Sequence, residues 1–185
     1  MNNAHAQLCS SPEWAEYIAT EVLPSAVGEL ALGDEVLEVG PGYGASTRIL
    51  ADAVPRLTAV EVDERLATDL AAGYPAVEVV HGSGDALPFD DGRFTAVVCF
   101  TMLHHVDSPE RQDQLFAEAR RVLAPGGVFA GSDSTGTDAR AGFHAGDTWV
   151  PVDPDGLPDR LRAAGFREVS VEVPDPEWFT FVARP

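Results

Sequence analysis

The sequence contains no lysine. All 12 of its basic residues are arginine, set against 30 Asp and Glu, for a formal net charge of −18 over 185 residues. So acidic a chain repels phosphate backbones and anionic lipid surfaces, and no cluster of Arg offsets the balance, so neither nucleic acid nor a membrane is expected as a partner. Cysteine is scarce too: only Cys9 and Cys99 occur, the second inside an apolar run. That argues against a disulfide framework and for a reducing, cytoplasmic setting. No apolar stretch approaches the ~18 residues needed to span a bilayer, and residues 1–7 carry neither the basic nor the apolar part of a secretory signal. Repeats, low-complexity tracts and linkers are also missing. The expectation is one domain over residues 1–185, with residues 1–33 a helical cap and residues 34–185 the core. A hydrophobic fraction of 45% with 23% charged excludes wholesale disorder.

What is present is an alternation of short β-type runs with helical patterns, the sign of a parallel sheet covered by helices. A first helix opens at Pro12, with Trp14, Ile18 and Val22 on one face. Strands are expected at 35–39, 57–62, 77–81, 94–100 and 128–132, with helices at 45–53, 63–72 and after a Ser108 cap carrying Pro109 in its first position. Pro125-Gly126-Gly127 should end that helix before the fifth strand, and residues 133–156 read as a long irregular stretch. A helix over 157–164 then leads into two β runs, 168–173 and 178–183. Their join at Pro174-Asp175-Pro176 is short enough only for an antiparallel hairpin.

The strongest local signal is Val36-Leu37-Glu38-Val39-Gly40-Pro41-Gly42-Tyr43-Gly44, an apolar strand running into three alternate glycines and a helix. Glycine serves where backbone must approach a ligand with no Cβ in the way, and the helix start behind it offers free N–H groups. The spacing is G-x-G-x-G rather than the G-x-G-x-x-G of dinucleotide folds, which weakens a pyrophosphate reading. Glu61 closes the second strand, where a doubly wound sheet places it beside the glycine turn. A carboxylate there can accept both hydroxyls of a ribose, while Asp63 suits a helix cap.

These residues, in this order, resemble the class I S-adenosylmethionine (SAM)-dependent methyltransferases, in particular the small methyltransferase-domain type. Further matches are Leu87-Pro88-Phe89 with the strand at 96–100, Met102-Leu103-His104-His105, Arg121-Val122-Leu123-Ala124-Pro125-Gly126-Gly127, and the terminal hairpin. The resemblance implies a three-layer, doubly wound α/β fold of Rossmann-like type, whose mostly parallel seven-stranded sheet ends in an antiparallel hairpin. It implies SAM as cofactor, with S-adenosylhomocysteine (SAH) as product. It also implies a cofactor set of Glu38, Gly40, Pro41, Gly42, Gly44, Glu61, Val62, Ser83, Gly84, Asp85, Phe100, Thr101 and Met102. One departure stands out. Ser83 occupies the place where the family usually has an adenine-binding Asp, and either Ser83 or, two residues on, Asp85 could make that contact.

Methyl transfer needs a general base only when the acceptor carries a proton at neutral pH, and histidine has the suitable pKa. His104 and His105 follow the fourth strand at the ligand edge and are the candidate bases. His5 and His81 read as structural. The 142–149 loop brings His144, Asp147 and Trp149 as candidate acceptor-pocket residues, with Tyr17 of the first helix. His104, His105, Asp133 and His144 match no metal-ligand spacing, so no metal is expected. The expected activity is methylation of a small-molecule acceptor by a monomer or homodimer. The alternatives are an NAD-dependent oxidoreductase or a non-catalytic SAM-binding homologue.

Overall fold

A computed structural model describes residues 2–185, apart from the side chains of residues 138 and 139. Its centre is one seven-stranded sheet in the order β3-β2-β1-β4-β5-β7-β6. The strands are β1 (Glu35–Val39), β2 (Arg56–Glu61), β3 (Glu78–His81), β4 (Phe94–Phe100), β5 (Leu123–Ser134), β6 (Glu168–Asp175) and β7 (Trp178–Arg184). β1 to β5 run parallel, and β7 enters antiparallel between β5 and β6. The helices are α1 (Asn3–Cys9), α2 (Pro12–Tyr17), α3 (Leu23–Val27), α4 (Thr47–Ala53), α5 (Glu64–Gly73), α6 (Pro109–Val122), α7 (Asp138–Phe143) and α8 (Leu157–Ala163). This is the expected mostly parallel sheet closed by a hairpin.

Strand periodicity divides the interior into two cores. On β1, Leu37 and Val39 join Val97, Cys99, Phe129 and Phe181 under α6 and α8. Val36 faces the other way, with Ala59, Val98 and Ala130, under α3, α4 and α5. Parallel strands covered on both faces must be apolar on both, which is why the β4 sequence FTAVVCF reads as a continuous run. The caps are those the sequence suggests. Asp63 accepts from the N–H groups of Arg65 and Leu66, and Ser108 accepts from Arg111 N–H with Pro109 behind it.

Three local expectations need correction. The helix expected from Pro12 is there, one run of helical backbone over residues 12–27 whose middle is π-helical, but a separate helix, α1, precedes it. Ser11 caps α2 and separates it from α1, while a π-helical segment, Ile18–Val22, precedes Pro24, which has no N–H to continue an α ladder. β5 begins at Leu123 rather than after Gly127, because Leu123 already pairs with Phe94. The register shift between Phe94 and Ala96 is where Pro125 fits without a ladder donor. The stretch after β5 also holds a short helix, α7, capped by Thr137.

The sheet order reverses between β1 and β4, and in doubly wound sheets ligands bind outside the carboxyl ends of the strands at that point. No helix among the described residues is long and apolar enough to cross a membrane.

Candidate active site

At the end of β1, Gly40 and Gly42 adopt φ of +68° and +56°, the left-handed region that favours glycine. The two have different surroundings. A Cβ on Gly40 would lie 3.0 Å from the Met102 side chain, whereas one on Gly42 would meet nothing within 4 Å. Gly40 therefore allows close packing, and Gly42 allows the turn that aims its N–H at the tip of β2. There Gly42 N donates to Glu61 Oε2 at 2.9 Å, and Asp63 N donates to Oε1 at 3.0 Å. Each oxygen keeps a further lone pair for a ligand hydroxyl.

Glu38 sits beneath this turn and not on its surface. It is 1% exposed and accepts from the Ser46 hydroxyl and, at 2.6 Å, from Thr47 Oγ1. Burial pushes its carboxyl up from 4.5 to about 7 against the pull of those two hydroxyls. The cofactor contact expected of Glu38 becomes a tether, because residue 38 has the opposite parity to Leu37 and Val39 and points at the start of α4.

A cavity of about 790 Å³ opens along the carboxyl edge of the sheet, within the range of small-molecule and cofactor sites. Gly40, Pro41, Gly42, Glu61 and Val62 wall one end, continuing through Ser83, Gly84 and Asp85. Ser83 Oγ donates to Asp85 Oδ1, and Arg111 donates to Asp85 Oδ2, holding its carboxyl below the usual range against the effect of burial. Phe100, Thr101 and Met102 form the floor. Thr101 has φ of 51°, an uncommon conformation for a residue other than glycine, and its N–H donates to Ser132 O at 2.8 Å.

The other end is lined by four histidines. His104 and His105 occupy a 3₁₀ turn, Leu103–His105, just after β4. Asp133 of β5, fully buried, accepts from His104 Nδ1, from His104 N at 3.2 Å and from Ser134 N at 2.6 Å. A carboxylate only accepts, so His104 Nδ1 carries a proton. Nε2 is buried and has no partner. His144, after α7, donates from Nδ1 to Arg140 O at 2.7 Å, and its Nε2 is likewise buried without a partner. Burial lowers the pKa of His5, His105 and His144, that of His105 to about 3 with a further contribution from the neighbouring imidazoles. These rings are neutral at pH 7.

His5 is the residue the sequence misplaces. It is 5% exposed, and its Nδ1 lies 3.1 Å from Asp147 Oδ2, while Asn2 Nδ2 donates to Phe143 O at 3.1 Å. The first turn of the chain is thus fastened onto the 143–147 segment and helps to roof the cavity. Tyr17, Trp149, Gly44 and Glu38 are not among the residues that wall the cavity. Tyr17 packs beside Trp14, at 5.6 Å between ring centroids, against the core under α3. Trp149 stacks behind His144 at 4.1 Å, and Gly44 turns toward Leu70.

A glycine turn at the sheet switch point, a carboxylate on the next strand tip and a long cavity between them define an α/β domain that binds a nucleoside-type cofactor. Comparison with known proteins narrows this: the methyltransferase domain family matches residues 37–131, and the chain belongs to that family. A Mycolicibacterium smegmatis protein named "Probable S-adenosylmethionine-dependent methyltransferase" is 35% identical over 109 residues, 59% of this chain and 41% of its own. A ribosomal RNA small subunit methyltransferase A of Laribacter hongkongensis is 50% identical over 60 residues, 32% of this chain and 23% of its own. The chain therefore spans well under half the length of these curated relatives. Among solved structures, a Pyrococcus horikoshii protein superposes over the whole of both chains with a TM-score of 0.80 at 18% identity, a likeness of fold. The residues present suit SAM, the family's cofactor. Gly42 leaves open space beside the turn, and Glu61 keeps acceptor capacity next to it.

Proposed function

We propose that this chain transfers the methyl group of SAM to a small-molecule acceptor held in the histidine-lined half of the cavity. The observation that carries this reading is the continuity of one cavity from the Gly40–Gly44 turn to His104 and His144. The cofactor site and a set of potential proton acceptors therefore share a single roofed space. When bound, SAM supplies a methyl carbon on a sulfonium, electrophilic enough to need no further activation.

The chain's own residues supply position and a proton acceptor. Glu61, held in place by the Gly42 amide, would take the adenosyl end, and the 3₁₀ turn fixes His104 beside the other. Asp133 sets the His104 tautomer, so that Nε2 can take the proton of an acceptor hydroxyl, phenol or acidic C–H as it is methylated. Much of the rate would come from positioning.

The ribosomal RNA methyltransferases among the relatives raise the question of an RNA substrate. A net charge of −18 with no lysine weighs against a phosphate-rich partner. Incubation with methyl-labelled SAM, a panel of hydroxyl, amine, thiol and carboxylate acceptors, and small-subunit ribosomal RNA tests the proposal. Label should pass to one class of small acceptor. Transfer to RNA alone would overturn the assignment, and SAM binding without any transfer would favour a non-catalytic homologue.

A further inference from the structure

We infer that His5, His105 and His144 form a binding site for a first-row divalent cation such as Zn²⁺, with one coordination position open to the cavity. One ring nitrogen from each residue lies within 4.8 Å of the other two, although the residues come from three separate segments of the chain. The hydrogen bonds around them select which nitrogen is free. Nδ1 of His5 lies 3.1 Å from Asp147 Oδ2, Nδ1 of His105 lies 3.3 Å from Thr148 O, and Nδ1 of His144 donates to Arg140 O at 2.7 Å. All three Nδ1 atoms face an oxygen acceptor, which leaves three Nε2 lone pairs. Metal-binding imidazoles are held in this way, the far nitrogen donating to a carboxylate or carbonyl that fixes the tautomer and raises ligand basicity.

A second observation is independent of the clustering. His144 is 4% exposed, and its Nε2 has no hydrogen-bond partner. A buried, unpartnered acceptor is costly and calls for a missing group. The His144 lone pair cannot bond to those of His5 and His105, because none carries a proton, and a cation placed among the three rings would satisfy all of them at once. Neutral imidazole favours Zn²⁺, Co²⁺ or Ni²⁺ over the oxygen-seeking Mg²⁺ and Ca²⁺. Three protein ligands with a vacant fourth position are the pattern of reactive rather than purely structural zinc sites. In tetrahedral geometry the nitrogens would stand about 3.4 Å apart, so the rings must draw inward. His5 can follow, since it sits on a single short helix fastened by Asn2 and Asp147.

The expectation of no metal came from sequence spacing, which grouped His104 and Asp133 with the other histidines and set His5 aside. In three dimensions His104 is committed to Asp133, and His5 takes its place. Cation binding at this site does not depend on the chemistry catalysed. Its consequence does rest on the proposed function: the open position would hold an anionic or hydroxyl oxygen of the acceptor.

Full-length protein without a histidine tag, stripped by a chelator, is titrated with Co²⁺ by visible absorption and with Zn²⁺ by calorimetry. One equivalent should bind with a Kd below about 10 µM, and His5→Ala or His144→Ala should weaken it by about a hundredfold or more. His81→Ala, on the exposed end of β3, should leave it unchanged. SAH binding by the same samples reports the cofactor reading separately, so either can fail alone. The absence of saturable binding by the wild-type protein, or uptake undiminished in both variants, overturns the site; the first outcome would leave a bridging water as the group between the rings.

Discussion

Replacing Glu61 by Gln changes one atom at the centre of the cofactor site. Both carboxylate oxygens are engaged, Oε2 by Gly42 N at 2.9 Å and Oε1 by Asp63 N at 3.0 Å. A glutamine amide presents oxygen to one of these donors and an NH₂ group to the other. One partly buried N–H then loses its acceptor, which costs about 1 kcal/mol of stability or less because water can reach it. A ribose hydroxyl that would have donated to the carboxylate also loses a charge-assisted bond of ~1.5–3 kcal/mol. That energy corresponds to a rise of about 10- to 150-fold in the Kd for SAH. Calorimetric titration gives the affinity, and a urea midpoint on the same sample shows that the variant is folded. Glu64→Gln, an exposed acid at the start of α5, makes the same change in net charge and serves as the control. A folded Glu61→Gln protein that binds SAH within threefold of wild type would refute the reasoning.

Three further outcomes are expected. Asp133→Asn should lower turnover of a proton-bearing acceptor by ~10²–10⁴-fold while SAH affinity holds, because the amide cannot satisfy His104 Nδ1, His104 N and Ser134 N together; unchanged turnover would remove His104 from the mechanism. Asp85→Ala should shift SAH affinity by less than about threefold, since both Asp85 oxygens already hold Ser83 and Arg111; a loss of ~1.5–3 kcal/mol would assign the adenine contact to Asp85 instead. Glu38, raised from 4.5 to about 7, binds its proton more tightly folded than unfolded, so its stabilisation is complete below pH 4.5 and is lost as pH rises through 7. Between pH 4.5 and 8, Glu38→Gln should therefore gain ~3 kcal/mol relative to wild type in urea unfolding, and a flat difference across that range would contradict the assigned protonation.

Much of the fold is legible in local pattern. The helix caps at Asp63 and Ser108, the glycine turn and the terminal hairpin are each written in a few adjacent residues and each is present, although β6 runs on through Pro174 and Asp175 across a register shift and the hairpin turns at Pro176-Glu177. The placement of His104 and His105 at the ligand edge follows from β4 ending at Phe100. Glu38 could have been read correctly from the two-residue period of β1, which turns it away from Leu37 and Val39. His5 could not. Its partner Asp147 lies 142 positions away in the chain, and no local periodicity records a contact of that span. Tyr17 needs no such span: its contact with Trp14, three residues earlier on α2, is of the kind that helix periodicity records. Short helices such as α7, six residues long, leave little periodic signal at all.

The account depends on the Gly40–Gly44 turn and Glu61 gripping an adenosyl ligand, and calorimetric titration of the wild-type protein with SAH tests this most directly. One saturable site is predicted, accompanied by a rise in melting temperature that NAD does not reproduce. Folded protein giving neither heat nor thermal stabilisation with SAH or SAM, or stabilised by NAD alone, would contradict it.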